Sequence, residues 1–134
     1  KKALLPEAPD EAEIAFRGPE GKFTGVSVTD MATDQKAHLQ KVLRLLLEPF
    51  RQSDQDEAVA ALKKNGGLDQ CHLTFYKRDD LGSDGIWDNW RLEGPAFVWH
   101  WRGAPHVHVW VHVADSHKVE LNSRNRSGLL RRKS

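Results

Sequence analysis

From His106 to Val113 the chain alternates without a break. His106, His108, Trp110 and His112 fall on one parity, and Val107, Val109, Val111 and Val113 on the other. A period of two is that of a β-strand, whose successive side chains leave opposite faces. A row of four valines needs hydrocarbon to pack against, so this strand belongs to a sheet with at least one buried face. Upstream, Phe97, Trp99 and Trp101 alternate with Ala96, Val98, His100 and Arg102. The segment from Arg91 to Val113 reads as a β-hairpin, with strands Trp90 to Arg102 and His106 to Ala114 around Gly103-Ala104-Pro105.

Register follows from keeping the apolar rows together. A two-residue loop pairs Arg102 with Pro105 and sets Trp99 opposite His108, mixing aromatics with histidines. A three-residue loop pairs Arg102 with His106 and His100 with His108, and places Phe97, Trp99 and Trp101 with the valines. A slip of one residue turns a whole strand over, so the buried pattern selects the three-residue loop. His100, His106 and His108 are then neighbours, with β-carbons ~5 Å apart when opposed and ~7 Å apart on the diagonal. Imidazoles so placed can converge on one ion whose bonds to nitrogen are ~2 Å long. Copper is the favoured metal and zinc the alternative, since imidazole suits both. His112, Arg91 and His72 are candidates for a surrounding layer that supports such a site.

The 134 residues suit a single domain, 1–134, with an extended lead-in over about 1–12 and a basic tail over about 122–134. The clearest helix starts at Thr33 or Asp34, either of which can cap it. Leu39, Val42, Leu43, Leu46 and Phe50 form its stripe, widened by Leu45 and Leu47, and Pro49 ends it near Leu47–Glu48. A second helix starts at Ser53 and stops at Gly66-Gly67. Its apolar face is Ala58, Val59, Ala61 and Leu62. Short strands are expected at Glu13 to Arg17, Phe23 to Val28, Cys71 to Tyr76 and around Val119 and Leu121. Helices grouped ahead of strands predict an α+β fold: a mainly antiparallel sheet with two helices packed on one face.

Composition sets further limits. Charged residues make up 29% of the chain and the formal net charge is +1, so no overall field recruits nucleic acid. No apolar run has the length of a membrane span. The single cysteine, Cys71, leaves no internal disulfide and no multi-cysteine metal motif, and a buried structural thiol is the expected role. The chain opens Lys1-Lys2 rather than with Met, which fits a processed or trimmed chain; a processed chain is compatible with export to a periplasmic or secreted location, and no compartment is fixed by the sequence. Asp79, Asp80 and Asp84 resemble a calcium loop only loosely, because the Gly and Glu spacing is missing. Trp87 and Trp90 are candidate ligand-binding aromatics.

The stretch Trp90-Arg91-Leu92-Glu93-Gly94-Pro95-Ala96-Phe97-Val98, followed by Pro105-His106-Val107-His108, resembles the C-terminal part of the DUF3500 family. The likeness spans about Gly25 to Val113 and is carried by the Arg-x-x-Gly-Pro and His-x-His elements. It implies that Arg91, Gly94, Pro95, His106 and His108 belong to the family's pattern, and it implies no particular activity. An acidic residue is common in that pattern where His100 stands here.

Two functions compete. The first is a mononuclear histidine site for copper or zinc, serving a carrier or sensor, or a metal-dependent oxidoreductase or hydrolase acting on a small-molecule substrate. Glu93, the nearest acid, is expected on the valine side unless a bulge at Gly94-Pro95 turns it, so no general base is evident. The second is a metal-free ligand- or protein-interaction module, with an aromatic pocket and histidines as hydrogen-bonding groups. A cupin-like enzyme ranks last, for want of strands.

Overall fold

The computed structural model describes residues 3–10 and 14–121. The chain forms strands β1 (Leu4–Leu5) and β2 (Val26–Ser27), helices α1 (Thr33–Leu47) and α2 (Gln52–Lys64), then strands β3 (His72–Tyr76), β4 (Asn89–Gly94), β5 (Phe97–Arg102) and β6 (His108–Val113). The sheet runs β1-β3-β4-β5-β6, with β2 beside β1 on the same edge of β3. Among the described residues only the β1–β3 pair is parallel, so the fold is α+β with a mainly antiparallel sheet.

The segment expected as one hairpin is a three-stranded meander. Pro95 has no N–H to give a ladder, so the chain turns at Pro95-Ala96 and Trp90 to Arg102 becomes two strands. Between β5 and β6, Arg102 pairs with His108 and His100 with Trp110. The connection is therefore five residues, 103–107, and the expected register is displaced by two. A displacement of two keeps every side chain on its face, so the apolar pattern could not detect it. Phe97, Trp99 and Trp101 do lie opposite Val113, Val111 and Val109.

Both helices pack on that face. Leu39 and Leu43 of α1 join Leu92, Phe97, Trp99, Val28 and Cys71 in the main core, with Leu62 of α2 against it. Each fully buried leucine adds roughly 1.5–3 kcal/mol over an exposed one. The α1 stripe is narrower than expected, because Leu45 and Phe50 are 53% and 54% exposed. The caps also differ. The Gln35 Oε1 accepts from the Ala32 N–H at 2.9 Å, replacing Thr33 or Asp34 as first-turn cap. Helix α2 starts one residue before Ser53, at Gln52, and its Arg51 N-cap makes no side-chain capping bond. Gly66 and Gly67 both take positive φ and close its end.

The opposite face is polar and nevertheless buried. Thr74, Asn89, Arg91, Glu93 and His100 all lie under cover there. Part of the cover is apolar: Ile14 and Leu121 pack on Val98, with Phe16 and Trp110 alongside. Among the described residues neither 14–17 nor 119–121 is a strand, although Ile14 and Leu121 are buried as strand residues would be. The Gly18 N–H donates to Pro95 O at 3.0 Å, pinning this cover over the β4–β5 turn. The basic tail, 122–134, lies outside the described residues.

Candidate functional site

On the polar face, strands β4 and β5 place Arg91 directly opposite His100, and Asn89 opposite Arg102. The Arg91 Nε donates to His100 Nδ1 at 3.1 Å, and His100 Nε2 meets Asn89 Oδ1 at 2.8 Å. Guanidinium has no acceptor, so Nδ1 is the acceptor and Nε2 carries the ring proton. The ring is 2% exposed and stacks between Tyr76, at 5.9 Å and 5°, and Trp110, at 4.9 Å and 23°. Burial, then the charges of Arg91 and Arg102, lower the His100 pKa from 6.5 to about 3. His100 is thus a fixed neutral group with both nitrogens committed.

This placement corrects the three-histidine arrangement. His106 and His108 do meet, with their Nε2 atoms 2.7 Å apart. His100 does not join them, because the two-residue displacement puts Trp110 opposite it, and the indole stacks on His100 and meets the His108 ring edge-on at 5.8 Å. The His108 Nδ1 lies 2.6 Å from Arg102 Nη2, so this ring too takes a guanidinium hydrogen bond. His106 is exposed.

The other histidines sit apart. His112 lies opposite Val98, and burial lowers its pKa. His72 stacks on Phe23 at 5.4 Å, and its buried Nδ1 meets no hydrogen-bond partner among the described residues. Arg91, expected near the histidine pair, instead serves His100, and its own Nη2 is buried with no hydrogen-bond partner among the described residues. Glu93, expected on the valine side, lies opposite Val98 on the polar face because β4 is a separate strand. It pairs with Arg17 at 3.3 Å. Burial raises the Glu93 pKa, against the lowering pull of Arg17 and Arg91. Cys71 is fully buried, and burial followed by the Glu93 charge pushes its thiol up to about 12, which fits a structural role.

A cavity of about 380 Å³ opens over this network. Asn89, His100 and Arg102 form its sheet wall, Arg78 and Asp79 another, and Ala8, Pro9 and Asp10 of the lead-in a third. Asn89 was missed in the sequence. Its signal was an amide in a strand position, where Asn is depleted unless it has a specific partner. A larger groove beside α1, about 780 Å³, is lined in part by Phe75 and Trp90, one of the two tryptophans expected to bind ligand.

Among the described residues, Asp80, Asp84 and Asp88 are the one set of three or more potential metal-ligating residues whose ligand atoms lie within 4.8 Å of one another. Each spends an oxygen on the loop itself, accepting from the N–H of Gly85, Ile86 and Leu81 respectively. No helix among the described residues is long and apolar enough to cross a membrane. Compared with family models, curated proteins and solved structures, the chain matches none.

Proposed function

We propose that this protein is a metal-free module that binds a small polar ligand in the cavity over His100. The observation that carries this reading is the buried Asn89–His100–Arg91 chain forming part of that cavity's wall. Desolvating three polar side chains is costly, and the two hydrogen bonds that link them offset part of that cost and fix the His100 ring between its partners. A rigid polar floor with a strongly shifted ionisable group, inside a cavity of ligand size, is the arrangement expected of a recognition site. The lining mixes the cations Arg78 and Arg102 with the anions Asp10 and Asp79; Arg78 lies 3.8 Å from Asp79, and Arg102 already donates to His108. It therefore suits a ligand offering both an anionic group and hydrogen-bond donors, such as a small hydroxy acid or amino acid.

The test is a thermal-shift screen of small hydroxy acids, amino acids and sugars against the wild type and Ala8→Phe, which fills the cavity. A compound that raises the melting temperature of the wild type but not of the variant supports the reading. No hit, or equal shifts in both proteins, refutes it.

One observation favours a second reading, a copper or zinc ion held by His106 and His108. Their Nε2 atoms are close enough that a small opening would seat a shared ion. Occupancy would require His108 Nε2 to give up its proton while Nδ1 still accepts from Arg102. Titration calorimetry with Cu(II) and Zn(II), on the wild type and on His106→Ala/His108→Ala, decides this. Equal uptake by both removes the pair as ligands, and loss in the double variant supports it. The DUF3500 resemblance does not choose between the readings. Arg91, Gly94 and Pro95 bear on the first site, and His106 and His108 on the second.

A further inference from the structure

Strand β6 is the last strand of the sheet order, and among the described residues its outer edge carries no further strand. The opposite edge is shielded differently: β3 is covered there by the two-residue strands β1 and β2. The Ala114 N–H donates to Ala96 O, so the even residues of β6 face β5 with their backbone groups and the odd ones face outward. Val109 and Val111 therefore turn N–H and C=O away from the sheet. Among the described residues nothing bonds to them. The strand has no proline, lysine or acidic residue from Val107 to Val113 to blunt its edge.

That stretch reads Val107-His108-Val109-Trp110-Val111-His112-Val113, the same in both directions. Antiparallel pairing with itself about Trp110 sets Val107 opposite Val113, His108 opposite His112, and Val109 opposite Val111 of the second copy. Every cross-strand pair then joins like residues, with no carboxylate or ammonium among them. Val107 and Val109, 57% and 43% exposed, become covered. Room exists for them: a groove of about 750 Å³ runs beside Val113 and Ala114, with Ala58 and Ala61 on its α2 wall. Its rim carries Asp54, Glu57 and Asp115, and the loop that would enter it carries His106. Lys64 sits 3.3 Å from Asp115 and Arg51 3.1 Å from Asp54, so two of these three carboxylates are already paired.

We propose that β6 is a self-association edge, through which two copies of this chain pair about a two-fold axis at Trp110 into one continuous sheet. Such a contact is isologous and closes at two. The experiment is sedimentation of the full chain over a range of micromolar concentrations, with circular dichroism melts in parallel. The wild type is expected at twice the 15.2 kDa chain mass. Val109→Pro deletes an outward N–H that the single chain does not use, and should run as a monomer while keeping its fold. Val109→Lys, on an exposed side chain, should do the same by charge if the proline variant does not fold. A monomeric wild type at all concentrations overturns the proposal, as does a dimer that survives in a folded Val109 variant.

Discussion

Arg91 and His100 face each other across β4 and β5, and the guanidinium donates to the imidazole at 3.1 Å with both side chains buried. A second proton on His100 would set a donor against a donor. The ring is therefore expected to remain the neutral Nε2–H tautomer as pH falls from 6.5 towards about 3. Nitrogen NMR of the labelled ring reads this directly. A doubly protonated His100 near pH 6.5 would contradict the geometry.

Stability should follow. Below pH 6.5 the unfolded ring gains a proton that the folded ring refuses until about pH 3. The unfolded state binds more protons in that window, so stability falls as pH falls, by on the order of a few kcal/mol over the whole of it. His112, also lowered, adds the same sign, and Glu93, raised, opposes it. Urea unfolding of the wild type and His100→Gln separates the contributions, because the other two groups are common to both. The variant should show the shallower acid dependence, and parallel curves would sink the assignment.

Arg91→Lys keeps the charge and loses the fork. The ammonium cannot reproduce the Nε geometry, so His100 Nδ1 is left as a buried acceptor without its donor. The expected cost is roughly 1–3 kcal/mol in chemical denaturation. An unchanged midpoint would mean that the pair adds nothing to stability.

Gly94 stands where β4 crosses Cys71. A Cβ added there would lie 2.7 Å from the Cys71 sulfur. Gly94→Ala is expected to destabilise by about 1–3 kcal/mol through overpacking. Cys71→Ala should relieve part of that, so the double variant should cost less than the sum of the singles. Simple additivity in the cycle would show that the two residues do not compete for space.

The faces of the meander were legible because strand periodicity survives any even slip, and Trp99 against Val111 follows from parity alone. The register was not, since nothing in an apolar row distinguishes a slip of two, and the Arg102–His108 contact that marks the observed pairing is polar. Glu93 lies on the opposite face from the one a continuous strand through Pro95 gives it, because β4 ends at Gly94. The polar cluster escaped for a different reason. The face that carries it is partly covered by Ile14 and Phe16, which lie on no strand among the described residues, and an amphipathic sheet pattern does not show what comes from elsewhere in the chain to cover it.

Strand β1 is two residues long and joins the sheet through Leu4 beside Phe75 and Leu5 beside Tyr76. The meander β3–β4–β5–β6 assembles from neighbours in sequence, whereas β1 must close a loop containing both helices. Such closure bears a larger entropic cost and follows the local contacts. Ala8, Pro9 and Asp10 hang from this late strand, so the third wall of the cavity is set only when the ends of a long loop have met. Fraying of β1 would open the cavity while leaving the rest of the sheet paired, which makes the lead-in the natural doorway to that cavity.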